Sequence, residues 1–330
     1  MEQNGSALSL NASQSSSFEM AKWENLLRYI GFYMVCTILS NIGCVLIIAS
    51  IWKNDEMRKN RFYVIIHHVC IARITTSAQY TIAGIYHSFR VYSLAPAYQT
   101  RFVCVLVHIL MAVGPFLEMM CLAFMTLDRM VSITAPMRYF NMKTKQATVI
   151  SGILYVVTVI VKVIPIFAFN ELSTRVMCMN AYSALTEHLA YFAQLEDNTI
   201  LGVVICLQII LMILVQRRSR KVASTDAERR SIERQLALIP ILKRQIILHC
   251  GLQILSRAIL SANFMVSNPA LAIRLTAVGG SMTTFDILVN TVAILWNKDM
   301  RKACRDMLGR KQNLVSSVSV RTVKTGNQEA

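Results

Sequence analysis

The stretch that decides the fold is Val103–Met130, which reads VCVLVHILMAVGPFLEMMCLAFMTLDRM. Its charged residues are Glu118 near the middle and Asp128 and Arg129 near the end, and the remainder is mainly apolar. A helix that crosses a bilayer needs about 20 mostly apolar residues. The stretch is therefore predicted to be a membrane-spanning helix.

Six further stretches are candidate spans. They are Tyr29–Trp52, Phe62–Tyr86, Ala147–Phe169, Thr199–Val215, Ile246–Val266 and Ala270–Trp296. The second of these seven spans in chain order carries Arg73 and two histidines, so we expect it to face other helices rather than lipid. The sixth is interrupted by Gln253 and Arg257 and is the weakest. Seven spans is the preferred count, and six is the alternative.

The composition also indicates a membrane protein. Hydrophobic residues make up 55% of the 330 residues, charged residues only 16%, and the mean hydropathy is +0.47. A soluble domain usually carries about a quarter charged residues. The net charge of +16 does not indicate nucleic acid binding, because Lys and Arg lie mainly in short segments between apolar stretches and no nucleic-acid motif occurs. The nine cysteines lack metal-ligand spacing, so we expect neither a metal nor another cofactor.

The distribution of basic residues predicts the orientation. Lys and Arg are frequent within residues 53–61, 138–145, 217–244 and 298–311, and the alternate segments carry only Lys22, Arg28, Arg90, Arg101, Arg175 and Arg274. Because cytoplasmic loops are enriched in Lys and Arg, the N-terminus is expected outside the cell and the C-terminus inside, which requires an odd number of spans. Asn4 and Asn11 each begin an Asn-x-Ser triplet and are predicted glycosylation sites on the outer tail.

The end of the third span carries the most specific motif. Leu127-Asp128-Arg129-Met130 is followed by Ala135-Pro136-Met137-Arg138-Tyr139, and Cys104 precedes Arg129 by 25 residues. This combination resembles the rhodopsin-like (class A) G protein-coupled receptor family, in which an Asp-Arg-Tyr motif ends the third span. Further family motifs are matched less completely by Ser40-Asn41-Ile42, Asn60 and Asn290-Thr291-Val292. The resemblance extends from span one to about residue 307.

Several positions depart from the family pattern. Cys70 replaces the usual acidic residue of span two, and Cys250-Gly251-Leu252-Gln253 stands where Cys-Trp-x-Pro is usual. Span seven lacks the family's Pro and Tyr after Asn290. Such drift is typical of divergent chemosensory or lineage-expanded receptors, and it indicates that the usual aromatic switch and sodium site are altered.

The resemblance implies an all-α membrane protein with a seven-transmembrane helix bundle and a short amphipathic eighth helix. It divides the chain into an extracellular tail (1–28), the bundle (29–296), the eighth helix (297–310) and a disordered cytoplasmic tail (311–330). The implied function is that of a plasma-membrane receptor, not an enzyme, which transduces an extracellular ligand, small molecule or peptide, into heterotrimeric G protein signalling, with arrestin as a further partner. A transporter or channel that uses intramembrane charges is the alternative.

Three cysteines receive expectations from the resemblance. Cys104 and Cys178 both lie on the predicted outer side, where disulfides persist, and we expect them to be bonded; two separate thiols are the alternative. Cys304 lies beside Lys302 and Arg305 on the eighth helix. It is a candidate for palmitoylation, or a plain thiol.

Arg129 is the predicted coupling residue. Its guanidinium is always charged and presents a fork of donors, which suits both the neighbouring Asp128 and the carbonyl groups of a partner. Glu233 on span six is a candidate cross-helix partner, and Asn290 belongs to the span-seven switch. The alternative for Arg129 is an ordinary arginine whose head reaches the membrane interface.

Charges inside the predicted bundle indicate a second network. Arg73, Glu118 and Asp286 all fall near mid-membrane, where a lone charge costs at least about 2.5–3.5 kcal/mol. We therefore expect Arg73 to pair with Glu118 or with Asp286. The alternative is that one or more of these side chains point unpaired into a water-filled cavity.

The ligand pocket is predicted from the family's geometry. The outer half of span three offers His108, Met111, Ala112 and Pro115. No Asp lies one turn below His108, which argues against a monoamine ligand and favours chemosensation over a peptide or hormone ligand. Two basic residues, Lys162 in span four and Arg257 in span six, either bind an anionic ligand or extend to a membrane interface.

Overall fold

The structure is a computed structural model that describes residues 29–92, 98–178, 184–219, 248, 251–262 and 269–309. A π-helical turn, Tyr29–Tyr33, leads into the first helix. The helices are α1 (Met34–Lys53), α2 (Asp55–Lys59), α3 (Arg61–Tyr92), α4 (Arg101–Thr134), α5 (Pro136–Asn141), α6 (Thr144–Phe169), α7 (Glu187–Ser219), α8 (251–262), α9 (Pro269–Leu295) and α10 (298–309). The strands are β1 (Tyr98–Thr100) and β2 (Arg175–Met177).

Five of the described helices are long and apolar enough to cross a membrane. They are Gly31–Lys53, Arg101–Thr134, Thr144–Phe169, Glu187–Arg218 and Val278–Leu295. Helix α3 is more polar, but its 32 residues are also enough to cross a membrane. Helix α8, which is described over 12 residues, lies within the predicted sixth span. With these two, the bundle has seven helices. The chain is an all-α membrane protein built as a seven-helix bundle, as the sequence predicts.

Helix α6 shows the polarity expected of a helix in lipid. It buries Ser151, Thr158 and Lys162, whereas Val156 and Ile160 are half exposed or more. In water this arrangement would leave apolar side chains solvated and polar ones buried. In a bilayer the apolar side chains face the hydrocarbon, and the polar side chains face the interior of the bundle.

Helix α4 lies at the centre of the bundle, where it packs against α3, α6 and α7. Its approach to α3 depends on Gly114, because a Cβ atom at that position would lie 2.6 Å from the Thr76 Oγ1 and 2.9 Å from the Thr76 backbone. A similar contact joins α1 to α9, where a Cβ on Gly43 would lie 2.6 Å from a methyl group of Thr291. Small residues at such contacts let membrane helices pack closely.

One end of the bundle carries a disulfide. Strand β1, which precedes α4, pairs antiparallel with β2 in the segment between α6 and α7. Cys104 and Cys178 are bonded next to this pair of strands. We call this the disulfide end and the opposite end, where α4 carries Arg129, the Arg129 end.

The fifth span is longer than the sequence predicts. Helix α7 begins at Glu187, twelve residues before the predicted start at Thr199. The apolar window excluded this first part because it contains Glu196 and Asp197, which in the structure are paired with basic residues of neighbouring helices. Paired charges can lie inside a span that composition alone would end.

Candidate functional site

Four polar residues form a cluster at the Arg129 end: Arg61, Asp128, Arg129 and Tyr139. Asp128 accepts a bond from Arg129 Nη2 at 3.0 Å through Oδ2 and one from Arg61 Nε at 3.1 Å through Oδ1. Asp128 and both arginines are each less than 9% exposed. Two guanidinium groups therefore share one carboxylate, and the three side chains together carry one excess positive charge.

Tyr139 completes the cluster from the short helix α5. Its hydroxyl accepts from Arg129 Nη2 at 2.7 Å and donates to Asp128 Oδ2 at 2.9 Å. Burial raises the pKa of Tyr139 to about 12, an effect that Asp128 adds to and Arg129 opposes. The hydroxyl therefore keeps its proton at physiological pH and can donate and accept at once.

Arg129 contacts several neighbouring side chains, but the described residues do not use all of its N–H donors. Its guanidinium carbon lies 4.5 Å from the centre of the Phe62 ring, a cation–π distance. Among the described residues, its buried Nε has no hydrogen-bond partner. The arrangement can thus hold Arg129 in a closed bundle and still leave a donor for another group.

Arg61 and Tyr139 were not predicted as members of this cluster. In the sequence, Arg61 is one of several basic loop residues, and Tyr139 is part of the motif that follows Arg129. They are identified by their positions in the fold. Helix α3 begins at Arg61 and packs against α4, and the short helix α5 follows directly after the end of α4. The expected partner Glu233 lies outside the described residues, so its pairing with Arg129 stays a prediction.

Arg73 and Glu118 form an ion pair in the middle of the bundle. Arg73 Nε donates to Glu118 Oε1 at 2.7 Å, and the side chains are 1% and 4% exposed. This is the first of the two pairings expected from the sequence. A buried pair of this kind is only weak support for stability, but it avoids the larger penalty of a lone buried charge.

Asp286 takes part in a different network. It accepts from Gln253 Nε2 at 2.8 Å and from Asn290 Nδ2 at 2.6 Å. The expected alternative pairing of Asp286 with Arg73 is therefore not the one that the structure contains. Gln253 occupies the altered span-six motif, so the departure from the family pattern supplies a hydrogen bond between α8 and α9.

A cavity opens between the helices toward the disulfide end. It contains about 940 Å³ of empty space, including the part open to solvent. Its apolar lining includes Val105, Ile109, Ala112, Pro115, Val161, Pro165, Ile166, Leu185, Leu189, Phe192 and Leu260. Of the predicted pocket residues, His108, Ala112 and Pro115 line it, and the side chain of Met111 is outside the described part of the structure.

Four charged residues line one region of this cavity: Lys162, Glu196, Asp197 and Arg257. Lys162 Nζ lies 2.9 Å from Glu196 Oε2 and 2.8 Å from Asp197 Oδ1, and 4.4 Å from the centre of the Phe116 ring. Arg257 Nη1 lies 3.0 Å from Asp197 Oδ2. We call these four residues the balanced cluster, because their two positive and two negative charges cancel.

The balanced cluster differs from both expectations for its basic residues. The sequence predicts that Lys162 and Arg257 either bind an anionic ligand or extend to a membrane interface. Instead, both are bound by carboxylates of α7, and Lys162 is only 5% exposed. The adjacent acids Glu196 and Asp197 were missed because they precede the predicted fifth span. The usable signal was that two basic residues inside neighbouring spans require nearby acids.

His108 lies beside the disulfide at the cavity wall. One of its ring nitrogens and the sulfurs of Cys104 and Cys178 all lie within 4.8 Å of one another. Three such residues can hold a metal ion as thiolates and imidazole. Here the two sulfurs are bonded to each other, so this arrangement provides no thiolate ligands.

The remaining predicted residues lie elsewhere. Cys304 on α10 is partly buried, and its Sγ lies 3.1 Å from Ser50 Oγ of α1. Palmitoylation there would have to break this contact and stays a prediction. Asn4 and Asn11 lie outside the described residues, so their glycosylation is likewise still a prediction.

The chain matches a known protein family. Residues 45–293 match the family model described as 7 transmembrane receptor (rhodopsin family). The matched region begins in α1 and ends in α9, so it includes every residue of the Arg129-end cluster, the central ion pair and the balanced cluster. No curated protein matches the chain.

Proposed function

The chain belongs to the rhodopsin family of seven-transmembrane receptors, and from that membership we propose that it converts binding of an extracellular small molecule into activation of a heterotrimeric G protein. Proteins of this family are multi-pass receptors of the plasma membrane that signal through G proteins. The ligand, the orientation and the coupling residues are the parts that we propose for this chain.

The Arg129 end is proposed to face the cytoplasm. Exposed basic residues gather there on α2, α5, α10 and the start of α6: Arg58, Lys59, Arg138, Lys143, Lys145, Lys298, Arg301, Lys302 and Arg305. Basic residues are enriched on the cytoplasmic side of membrane proteins. The disulfide then lies outside, in an environment where such bonds persist.

The observation that carries the proposal is the way Arg129 is held. Asp128 and Tyr139 both bind its Nη2, and these partners lie on α4 itself and on the short helix that follows it. A ligand that favours an open bundle shifts the population toward a state in which Arg129 can reach carbonyl groups of the G protein. The central ion pair and the Gln253–Asp286 bond tie the helices that would have to move.

The test measures signalling with a panel of chimeric G protein reporters in cells. Arg129→Ala is expected to reduce basal or ligand-driven signal at least about tenfold, because one charged multidentate contact contributes about 1.5–3 kcal/mol. Arg129→Lys keeps the charge but not the planar fork, so we expect a partial loss. Arg58→Ala is the matched control, since Arg58 is an arginine at the same end that pairs with Asp55 and is 56% exposed.

Surface expression must be measured for every variant. If Arg129→Ala reaches the surface and signals as well as Arg58→Ala, Arg129 is not the coupling residue. If no G protein in the panel responds to the wild-type receptor, either without ligand or with probes that bind it, the transducing function itself is contradicted.

The transporter alternative receives no support from the cavity. Its described lining contains the balanced cluster but not Arg73, Glu118 or Asp286, the charges that a translocation path was expected to use. Those residues are buried and are bonded to neighbours within the bundle. A ligand of this cavity must fit between the helices, and this requirement favours a small molecule over a peptide.

A further inference from the structure

Resting on the proposed function, we propose that the cavity binds an uncharged, mainly apolar small molecule that carries a hydrogen-bonding group. The inference depends on the balanced cluster rather than on the shape of the cavity alone. Glu196 and Lys162 are the residues that determine which ligand charge the cavity accepts.

The apolar lining of the cavity favours a ligand that is mostly hydrocarbon. Leu185, Leu189 and Phe192 lie on one side, and Val105 and Ile109 on another. Burying apolar surface contributes roughly 25 cal/mol for each Å² removed from water. A molecule that fills this part of the cavity therefore gains binding energy from its hydrocarbon portion.

The charged region of the wall does not select a charged group. Lys162 is already shared by two carboxylates, and Asp197 also binds Arg257. An ionic ligand would lose its hydration on entering the cavity, and that penalty is recovered only where the site offers an uncompensated opposite charge. Among the described residues that line the cavity, the four charges cancel, so these residues offer no uncompensated charge to an ion.

An uncharged polar group faces a smaller penalty and has a place to bind. Glu196 is the most exposed of the four side chains, at 20%, and its bond to Lys162 uses only Oε2. A carboxylate has two oxygens and about four acceptor positions. A hydroxyl group of the ligand can therefore donate to Glu196 without displacing Lys162.

Changing the charge balance of the cluster should reverse the preference for an uncharged ligand. Glu196→Gln removes one negative charge and leaves Lys162 and Arg257 with Asp197 alone, so the site gains a net positive charge. Lys162→Gln leaves Arg257 with two carboxylates, so the site gains a net negative charge. The first variant should gain affinity for a carboxylate ligand and the second for an ammonium ligand.

The experiment uses the purified full-length receptor in lipid nanodiscs and measures its apparent Tm with matched probes. The probes are cyclohexylmethanol, cyclohexanecarboxylate and cyclohexylmethylammonium, with hexan-1-ol, hexanoate and hexylammonium as a second skeleton. For the wild type, we expect the alcohols to raise the Tm by about 2–4 °C and the ions to leave it unchanged. Ala112→Trp, which fills the cavity from α4, should remove the shift.

For the variants we expect a reciprocal change of about tenfold in apparent affinity, with carboxylates favoured by Glu196→Gln and ammonium ions by Lys162→Gln. The proposal is overturned if an ion stabilises the wild type as well as its alcohol does, if no probe on either skeleton stabilises it, or if well-folded variants keep the wild-type order. Because Tm does not depend on a G protein, binding of alcohols without any reporter signal would count against the proposed function and not against this inference.

Discussion

The two ends of the bundle treat buried charge differently. At the Arg129 end, two arginines share the carboxylate of Asp128, so these three side chains, counted within the described part of the chain, carry one positive charge in excess. At the disulfide end, Lys162 and Arg257 meet two carboxylates, and the charges cancel. An end with excess charge suits a partner that brings acceptor groups, whereas a balanced end suits an uncharged ligand.

The central pair Arg73–Glu118 gives the reference for this comparison, because it is balanced like the disulfide end but almost completely buried. A buried carboxylate that loses its partner can take up a proton and become neutral, whereas a guanidinium cannot lose its charge in a protein. Removing an acid should therefore destabilise the receptor more than removing a base.

The largest effect is expected from Glu118→Leu, which leaves the Arg73 guanidinium buried without its anion. We expect a loss of about 3–5 kcal/mol, seen as a lower Tm or as loss of folded receptor from the cell surface. Arg73→Met should be milder because Glu118 can be protonated.

The double variant Arg73→Met/Glu118→Leu is the control, since apolar residues of similar volume often replace a buried pair at little cost. It should recover most of the stability that Glu118→Leu loses. If the double variant is as unstable as the sum of the two single variants, the pair is not coupled as the structure indicates.

A matched pair of variants compares the two ends directly. Asp128→Asn leaves two arginines facing each other, and we expect it to destabilise the receptor by about 2–3 kcal/mol. Asp197→Asn should cost only about 1 kcal/mol, because Lys162 keeps Glu196 and the new amide oxygen can still accept from Arg257. The measurement is the Tm of each purified variant relative to wild type; an equal or reversed order would show that charge balance does not distinguish the two ends.

Much of this arrangement follows from the sequence, and the limit is informative. Apolar stretches predict the helices, and the need to neutralise a mid-membrane charge predicts a partner for Arg73. The sequence leaves two candidate acids because depth along a helix does not specify which helix face points at which neighbour. In the structure, Glu118 binds Arg73, and Gln253 and Asn290 bind Asp286.

The same limit explains the missed residues. Glu196 and Asp197 look like the polar end of a span until Lys162 and Arg257 are placed beside them. Arg61 looks like one of many loop cations until the start of α3 is packed against the end of α4. In each case the residue types were visible, but the contacts join segments more than thirty positions apart, and one sequence alone does not determine such contacts.

A smaller effect than that of Asp128→Asn sharpens the account of the Arg129 end. Tyr139→Phe removes the hydroxyl that links Arg129 to Asp128, and we expect a loss of about 1–2 kcal/mol in stability, since hydrogen bonds to charged groups contribute somewhat more than neutral ones.

The raised pKa of Tyr139, about 12, means that the folded state binds the hydroxyl proton more tightly than an unfolded tyrosine with a pKa near 10. The contribution of the hydroxyl is therefore complete below pH 10 and is lost as the pH rises from about 10 to 12. The difference in Tm between wild type and Tyr139→Phe, measured from pH 6 to 9, should accordingly be constant. A difference that changes within that range would mean that Tyr139 does not hold its proton and that Asp128 and Arg129 are joined in another way.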